Sequence, residues 1–159
     1  MRLLNSVCKV ISSKYAGVPV HIGEVPNNFK RGCFYVHIPT EDSTLKNLTV
    51  YEENPLFQIV YFGKRNEANQ VIAEELYDVA STLKALFLLR SSSVPIVPLE
   101  GVKEKPRYAK IESYNSAIRM DEGAVYVKLT LSFTEDTPKE NPYTAVGEID
   151  FETETVTNG

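Results

Sequence analysis

The stretch LFQIVYFGKRNEANQVIAEELYDV, Leu56 to Val79, decides the fold, because it passes from a period of two to a period near 3.6 within one segment. In its first part Phe57, Ile59 and Tyr61 alternate with Leu56, Gln58, Val60 and Phe62, so apolar residues fall on both faces. Such a strand is central and covered on both sides, or it turns one side toward another subunit. In its second part Val71, Ile72, Leu76 and Val79, continued by Leu83 and Leu86, make one stripe of a long helix, predicted over Glu67 to Leu89 with Asn66 as N-cap. The join, Gly63-Lys64-Arg65-Asn66, occupies the position of a phosphate-cradling loop. A phosphate loop needs several glycines and a Ser or Thr for the metal, and this one has a single glycine and no hydroxyl. Gly63 therefore reads as the end of a strand, with Lys64 and Arg65 solvated.

On the N-terminal side, Leu3, Leu4, Val7, Val10 and Ile11 recur at helical spacing and predict an opening helix that ends near Tyr15 to Gly17, with Cys8 on its apolar side. Val18, Val20 and Ile22 alternate with Pro19, His21 and Gly23, which suits an edge strand. Cys33 to Ile38 is a further strand, with Phe34, Val36 and Ile38 on one face and Tyr35 and His37 on the other. The polar, turn-rich text from Pro39 to Pro55 predicts a hairpin or loop that projects ahead of the central strand. On the C-terminal side, prolines at 95, 98 and 106 make the segment after Ser91 an edge strand or extended linker. Tyr108 to Tyr114 alternates as a strand, IRMDEG turns, and Ala124 to Phe133 gives the cleanest alternation in the chain, Val125, Val127, Leu129, Leu131 and Phe133 facing one way. The expected fold class is α+β: an antiparallel or mixed β-sheet with two helices packed on one face over residues 1–135. Residues 136–159 are expected to form an extended, acidic C-terminal arm with one weak strand, Ala145 to Phe151.

The 159 residues suit one domain, and 43% apolar with 24% charged residues is a globular composition. No apolar run approaches the roughly 20 residues that span a bilayer, and the opening MRLLNSVCKVISSKY lacks a signal-peptide pattern, so a cytoplasmic site of assembly is expected. Cys8 and Cys33 read as buried thiols rather than a disulfide framework. The net charge is −4, unevenly spread: residues 134–159 hold seven acids against Lys139, leaving the rest of the chain at +2. A near-neutral body argues against attraction of the whole protein to nucleic acid.

No catalytic constellation emerges. His21 and His37 are the two histidines, with no Cys, Asp or Glu at metal-ligand spacing beside them. Glu74, Glu75 and Asp78 read as the solvated side of the long helix, and Ser91 to Ser93 lack a nucleophile-elbow context. Lys103, Lys105 and Arg107, joined by Lys110, make the strongest basic run, diluted by Glu104 and Glu112. Nothing assembles a nucleophile, a base and an orienting group, so no catalytic, cofactor-binding or metal residue is assigned and no enzyme is expected.

The order of elements, with NSVCKVISSKY opening a helix, VPVHIGEVP as edge strand, CFYVHI, the Leu56–Val79 stretch and the closing AVYVKLTLSF, resembles bacteriophage tail terminator proteins over residues 1 to about 135. The resemblance implies an α+β virion protein without catalytic residues or cofactors. It further implies a homo-hexameric ring that caps the tail tube, ends its polymerisation and joins it to the head, with DNA passing only through the lumen. Contractile-tailed phages, prophage remnants and phage-tail-like bacteriocins carry such a component. Its partners would be its own copies, the tail tube protein, sheath protein and head-tail connector or neck proteins, with no membrane. Head-closure and other neck connectors share these features, and a small α+β ligand- or peptide-binding module is the alternative outside virions. Candidate subunit or partner contacts are Leu45, Leu48 and Tyr51 in the projecting segment, Lys64 and Arg65 after the central strand, Lys103, Lys105 and Arg107, and Val146, Ile149 and Phe151 in the arm.

Overall fold

The alternating segment from Ala124 forms the long inner strand of a six-stranded sheet in the computed structural model, which describes residues 1–89 and 92–136. In chain order the elements are α1 (Arg2–Lys14), β1 (Val20–Ile22), β2 (Cys33–Leu45), β3 (Val50–Phe62), α2 (Ala73–Lys84), β4 (Ser93–Pro95), β5 (Tyr108–Arg119) and β6 (Ala124–Asp136). A π-helical turn, Ala85–Leu89, extends α2. The strands lie in the order β1-β2-β3-β6-β5-β4, with β1 parallel to β2 and the other neighbours antiparallel. This is the α+β arrangement predicted, with a mixed sheet.

Both helices bury their stripes on the same face. Leu3, Leu4, Val7 and Ile11 of α1 and Leu76, Val79 and Leu83 of α2, with Phe87 beyond it, pack with Phe34, Val36, Phe57, Ile59 and Val125 to Phe133 of the sheet. Each such large apolar side chain contributes about 1.5–3 kcal/mol by leaving water, so this layer is the main source of stability. Ser6 is fully buried among them; its hydroxyl donates to the Arg2 carbonyl at 2.8 Å and accepts the Val97 N–H at 2.9 Å, tying α1 to the segment after β4.

The opposite face explains the doubly apolar β3. Residues 23–32 cross it to connect the parallel pair β1 and β2, and Val25 and Phe29 in that crossover pack on Cys33, Tyr35, Val60, Phe62 and Ala124. One end of the central strand is thus covered on both sides within the chain. Leu56 and Gln58, nearer its middle, are only half-buried.

Two expectations need revision, the start of the long helix and the end of β5. The helix starts at Ala73, with Ile72 at the cap position, not at Glu67 after Asn66. The Asn66 carboxamide oxygen instead accepts the Gln70 N–H at 2.8 Å, Asn69 sits at φ 59, and Arg65 bridges to Val71, which closes residues 65–71 into a loop of its own. An asparagine that caps a helix and one that closes a turn present the same sequence signal, and here the turn takes it. The projecting segment is a hairpin, one of the two forms expected, and its strands continue β2 and β3 through both prolines. Pro39 falls where the β2–β3 register shifts between His37 and Thr40, and Pro55 where the β3–β6 pairing is interrupted between Glu53 and Leu56, so neither costs a regular ladder bond. Finally, β5 runs on to Arg119, and the turn is confined to residues 120–123.

Candidate interaction surfaces

The two histidines that the sequence singles out do not meet. His21 stacks on Tyr35 with ring centroids 4.9 Å apart, and His37 stands opposite Gln58 in the β2–β3 ladder. Among the described residues no three His, Cys, Asp or Glu side chains form a group suited to a metal. Cys8 lies half-buried on α1 and Cys33 buried on the far face of the sheet, both free, with burial raising each thiol above its ordinary value. No helix among the described residues is long and apolar enough to cross a membrane.

The Gly63 corner is built around Glu75, which was read as solvated. The Tyr61 hydroxyl donates to one of its carboxylate oxygens at 2.5 Å and the Lys64 N–H to the other at 3.2 Å. Burial, with that carboxylate beside it, pushes the Tyr61 phenol well above its ordinary range. A carboxylate of the chain itself thus takes up the Lys64 N–H at the end of the strand. Gly63 is required by closeness: a Cβ there would lie 2.7 Å from Cδ2 of the fully buried Leu76.

The same corner is held from the other side by Arg31, which no motif marked. Its guanidinium donates to the carbonyls of Glu122 at 2.9 Å, Gly63 at 3.3 Å and Gly123 at 3.4 Å. It also lies over the rings of Phe29 and Phe62. Burial and the nearby Arg65 guanidinium both lower its pKa. The three carbonyls come from residues 63, 122 and 123, so only the fold brings them together.

At the other end of the sheet the β2–β3 hairpin and the last residues of β6 extend beyond the helices. Thr40–Leu45 are exposed throughout, and at the tip Leu45 is 65% and Leu48 92% exposed. The tip is a formed turn, with Lys46 N–H donating to the Val50 carbonyl at 2.9 Å and Asn47 Oδ1 accepting the Thr49 N–H at 2.8 Å. Behind it Glu52 pairs with Lys46 and accepts the Ser132 hydroxyl at 2.5 Å. Carboxylates dominate this end. Burial, and then Tyr51's neighbours Glu53, Glu135 and Glu41, raise the Tyr51 phenol.

Glu53 is likewise pushed above its ordinary 4.5, first by burial and then by Glu41 and Glu135. A carboxyl whose pKa is raised by folding supports the fold most below its unfolded pKa and loses that contribution as pH rises through the folded value. Glu53→Gln is therefore expected to raise the melting temperature at pH 7, the gain disappearing below about pH 4. A variant less stable than the wild type at pH 7 would contradict this.

The basic run splits. Arg107 pairs with Glu135 at 3.2 Å, donates to the Thr134 carbonyl at 2.5 Å and lies 4.3 Å over the Phe133 ring, while Arg2 pairs with Glu104 and, at 3.7 Å, with Glu135. Arg107 thus fastens the loop before β5 onto β6. Lys103 and Lys105 are exposed in that loop, and Lys110 pairs with Glu112 at 2.9 Å. Val146, Ile149 and Phe151, with the rest of the predicted arm beyond Asp136, lie outside the described residues. Residues 2–143 match the family model described as phage tail terminator protein. No curated protein matches the chain.

Proposed function

The chain belongs to the phage tail terminator family, and on that premise we propose that it acts as a ring subunit: six copies close on the end of a tail tube, stop its polymerisation and offer the head or neck a surface to join. The observation that carries this reading is the family match over 2–143, nearly the whole chain. The fold supplies means suited to it. A rigid mixed sheet backed by two helices holds an exposed hairpin at one end and a cationic corner at the other, and work of this kind needs fixed, complementary surfaces rather than a reacting centre. Binding and shape then do the work. No residue is asked to turn over a substrate, and DNA meets the ring only in passing through its lumen.

Leu45, Leu48 and Tyr51 at the hairpin, Lys64 and Arg65 at the corner, and Lys103 and Lys105 before β5 are the proposed contacts with neighbouring copies, tube, sheath or neck proteins. Arg107 has a part to play through the loop it holds. Residues 1–135 form the body of the subunit in this proposal, and residues 136–159 an arm whose Val146, Ile149 and Phe151 add a strand to a neighbour's sheet edge. The virion tail is the place of action, after assembly in the host bacterium.

The test is tube growth. Tail tube protein polymerised with the full chain present should give tubes of arrested length, and the same reaction without it should give tubes that continue to elongate. Unchanged tube lengths at saturating chain would count against the reading. A chain ending at residue 137 that arrests growth as well as the full chain removes the arm from it.

A further inference from the structure

The two ends of the sheet differ in charge. At the hairpin end Glu52 is matched by Lys46 and Glu135 by Arg107, whereas Glu41 stands exposed on β2 near the half-buried Glu53, with Asp42 exposed next to it on the strand. At the opposite end, around the β2–β3 pair Cys33 and Phe62, Lys30 and Lys64 are exposed and Arg31 and Arg65 half-buried, while the carboxylates of Glu75 and Glu122 there accept the Tyr61 and Tyr126 hydroxyls. Because β2 and β3 are antiparallel and run the whole length of the sheet, the two patches are fixed far apart on one rigid element and cannot neutralise each other within a chain.

The acidic patch also carries an open backbone edge. β1 covers β2 only from Phe34 to Val36, and among the described residues Thr40–Leu45 are paired on the β3 side alone. An exposed strand edge is a template for association unless something covers it.

We propose that the acidic hairpin end of one copy docks on the cationic corner of the next, so that Glu41 and Asp42 meet Lys30 and Lys64 of a second copy. This deepens the ring reading by naming the contact, and it rests on that reading for the claim that the series closes. Two unlike patches at opposite ends of the same subunit make a head-to-tail contact, which generates a ring when the rotation per step closes and an open filament when it does not. Docking also relieves the crowding of Glu41, Glu53 and Glu135, which in the lone chain adds to burial in raising Glu53. Being an exposed charge contact, it weakens as salt rises.

The experiment uses two double variants of the full chain, one with Glu41→Lys and Asp42→Lys, the other with Lys30→Glu and Lys64→Glu. Each faces its own copies with like charges, and sedimentation and native mass spectrometry at low salt should show each losing roughly tenfold or more of its assembly. Mixed in equal amounts they present opposite charges at every junction, so the mixture should assemble again as alternating copies. Melting curves matching the wild type establish that both variants fold. Assembly of either variant alone at wild-type level, a mixture that stays monomeric, or a wild-type chain monomeric at millimolar concentration in low salt overturns the proposal. If the wild type is monomeric yet caps tubes as a sixfold ring, the contact fails while the ring reading stands. If it assembles through these ends and ignores tubes, the contact stands and the capping function fails.

Discussion

Replacing Phe57 with alanine is expected to cost about 3–5 kcal/mol of folding stability and to lower the melting temperature by roughly 10–20 °C. Phe57 is fully buried on β3, between β2 and β6, and pairs with Leu129, itself fully buried. It also stands across from the place where β2 shifts register between His37 and Thr40, so the local backbone is already irregular. A cavity there cannot be closed by sliding the sheet, because register changes move whole rows of side chains to the wrong face. The cost should therefore approach the upper part of the range for large-to-small core changes. Leu48→Ser at the hairpin tip is the control: it removes an apolar side chain that is 92% exposed and should shift stability by less than about 0.5 kcal/mol. A Phe57→Ala loss below about 1 kcal/mol in urea melts would mean that the sheet centre is not packed as described.

Arg31→Met is expected to cost about 2–3 kcal/mol while leaving the rings of Phe29 and Phe62 covered. The methionine keeps apolar contact and gives up the three bonds to the carbonyls of Gly63, Glu122 and Gly123. Those bonds join the end of β3 to the turn before β6, where Gly63 N–H also donates to the Gly123 carbonyl at 3.0 Å. Arg31→Lys should recover little of the loss, because one ammonium cannot reproduce a planar fork spread over three acceptors. Hydrogen exchange should locate the loosening at Gly63 and Gly123. Lysine restoring full stability would show that charge alone, and not the fork, holds the corner.

The sheet was legible in the chain to the extent that one face dominates each strand. Val125 to Phe133 read cleanly because both helices sit on the same side, leaving Tyr126, Lys128 and Thr130 to the other. Leu56 to Phe62 read ambiguously because its second cover, Val25 and Phe29, comes from an irregular crossover with no periodicity to announce it. The start of α2 was misread because Asn66 closes a turn on Gln70 with the same side chain it would use to cap a helix. The hairpin strands were hidden by polar residues and two prolines, which suit a sheet extension that buries neither face. At the surfaces, sequence could name Lys64, Arg65 and the hairpin leucines as unburied cations and apolar tips, yet not that Glu41 and Lys64 stand at opposite ends of one sheet. Arg31 and Glu75 left no signal, since their partners are 32 or more residues distant in one case and are a tyrosine hydroxyl and a loop N–H in the other.

Imaging the ends of tail tubes assembled with the full chain tests most directly whether it terminates them. Averages should show a sixfold ring of 17.9 kDa subunits seated on a tube end, with no further tube protein added beyond it. Bare ends that go on growing in saturating chain, or the chain bound along the tube wall and absent from its ends, would contradict it.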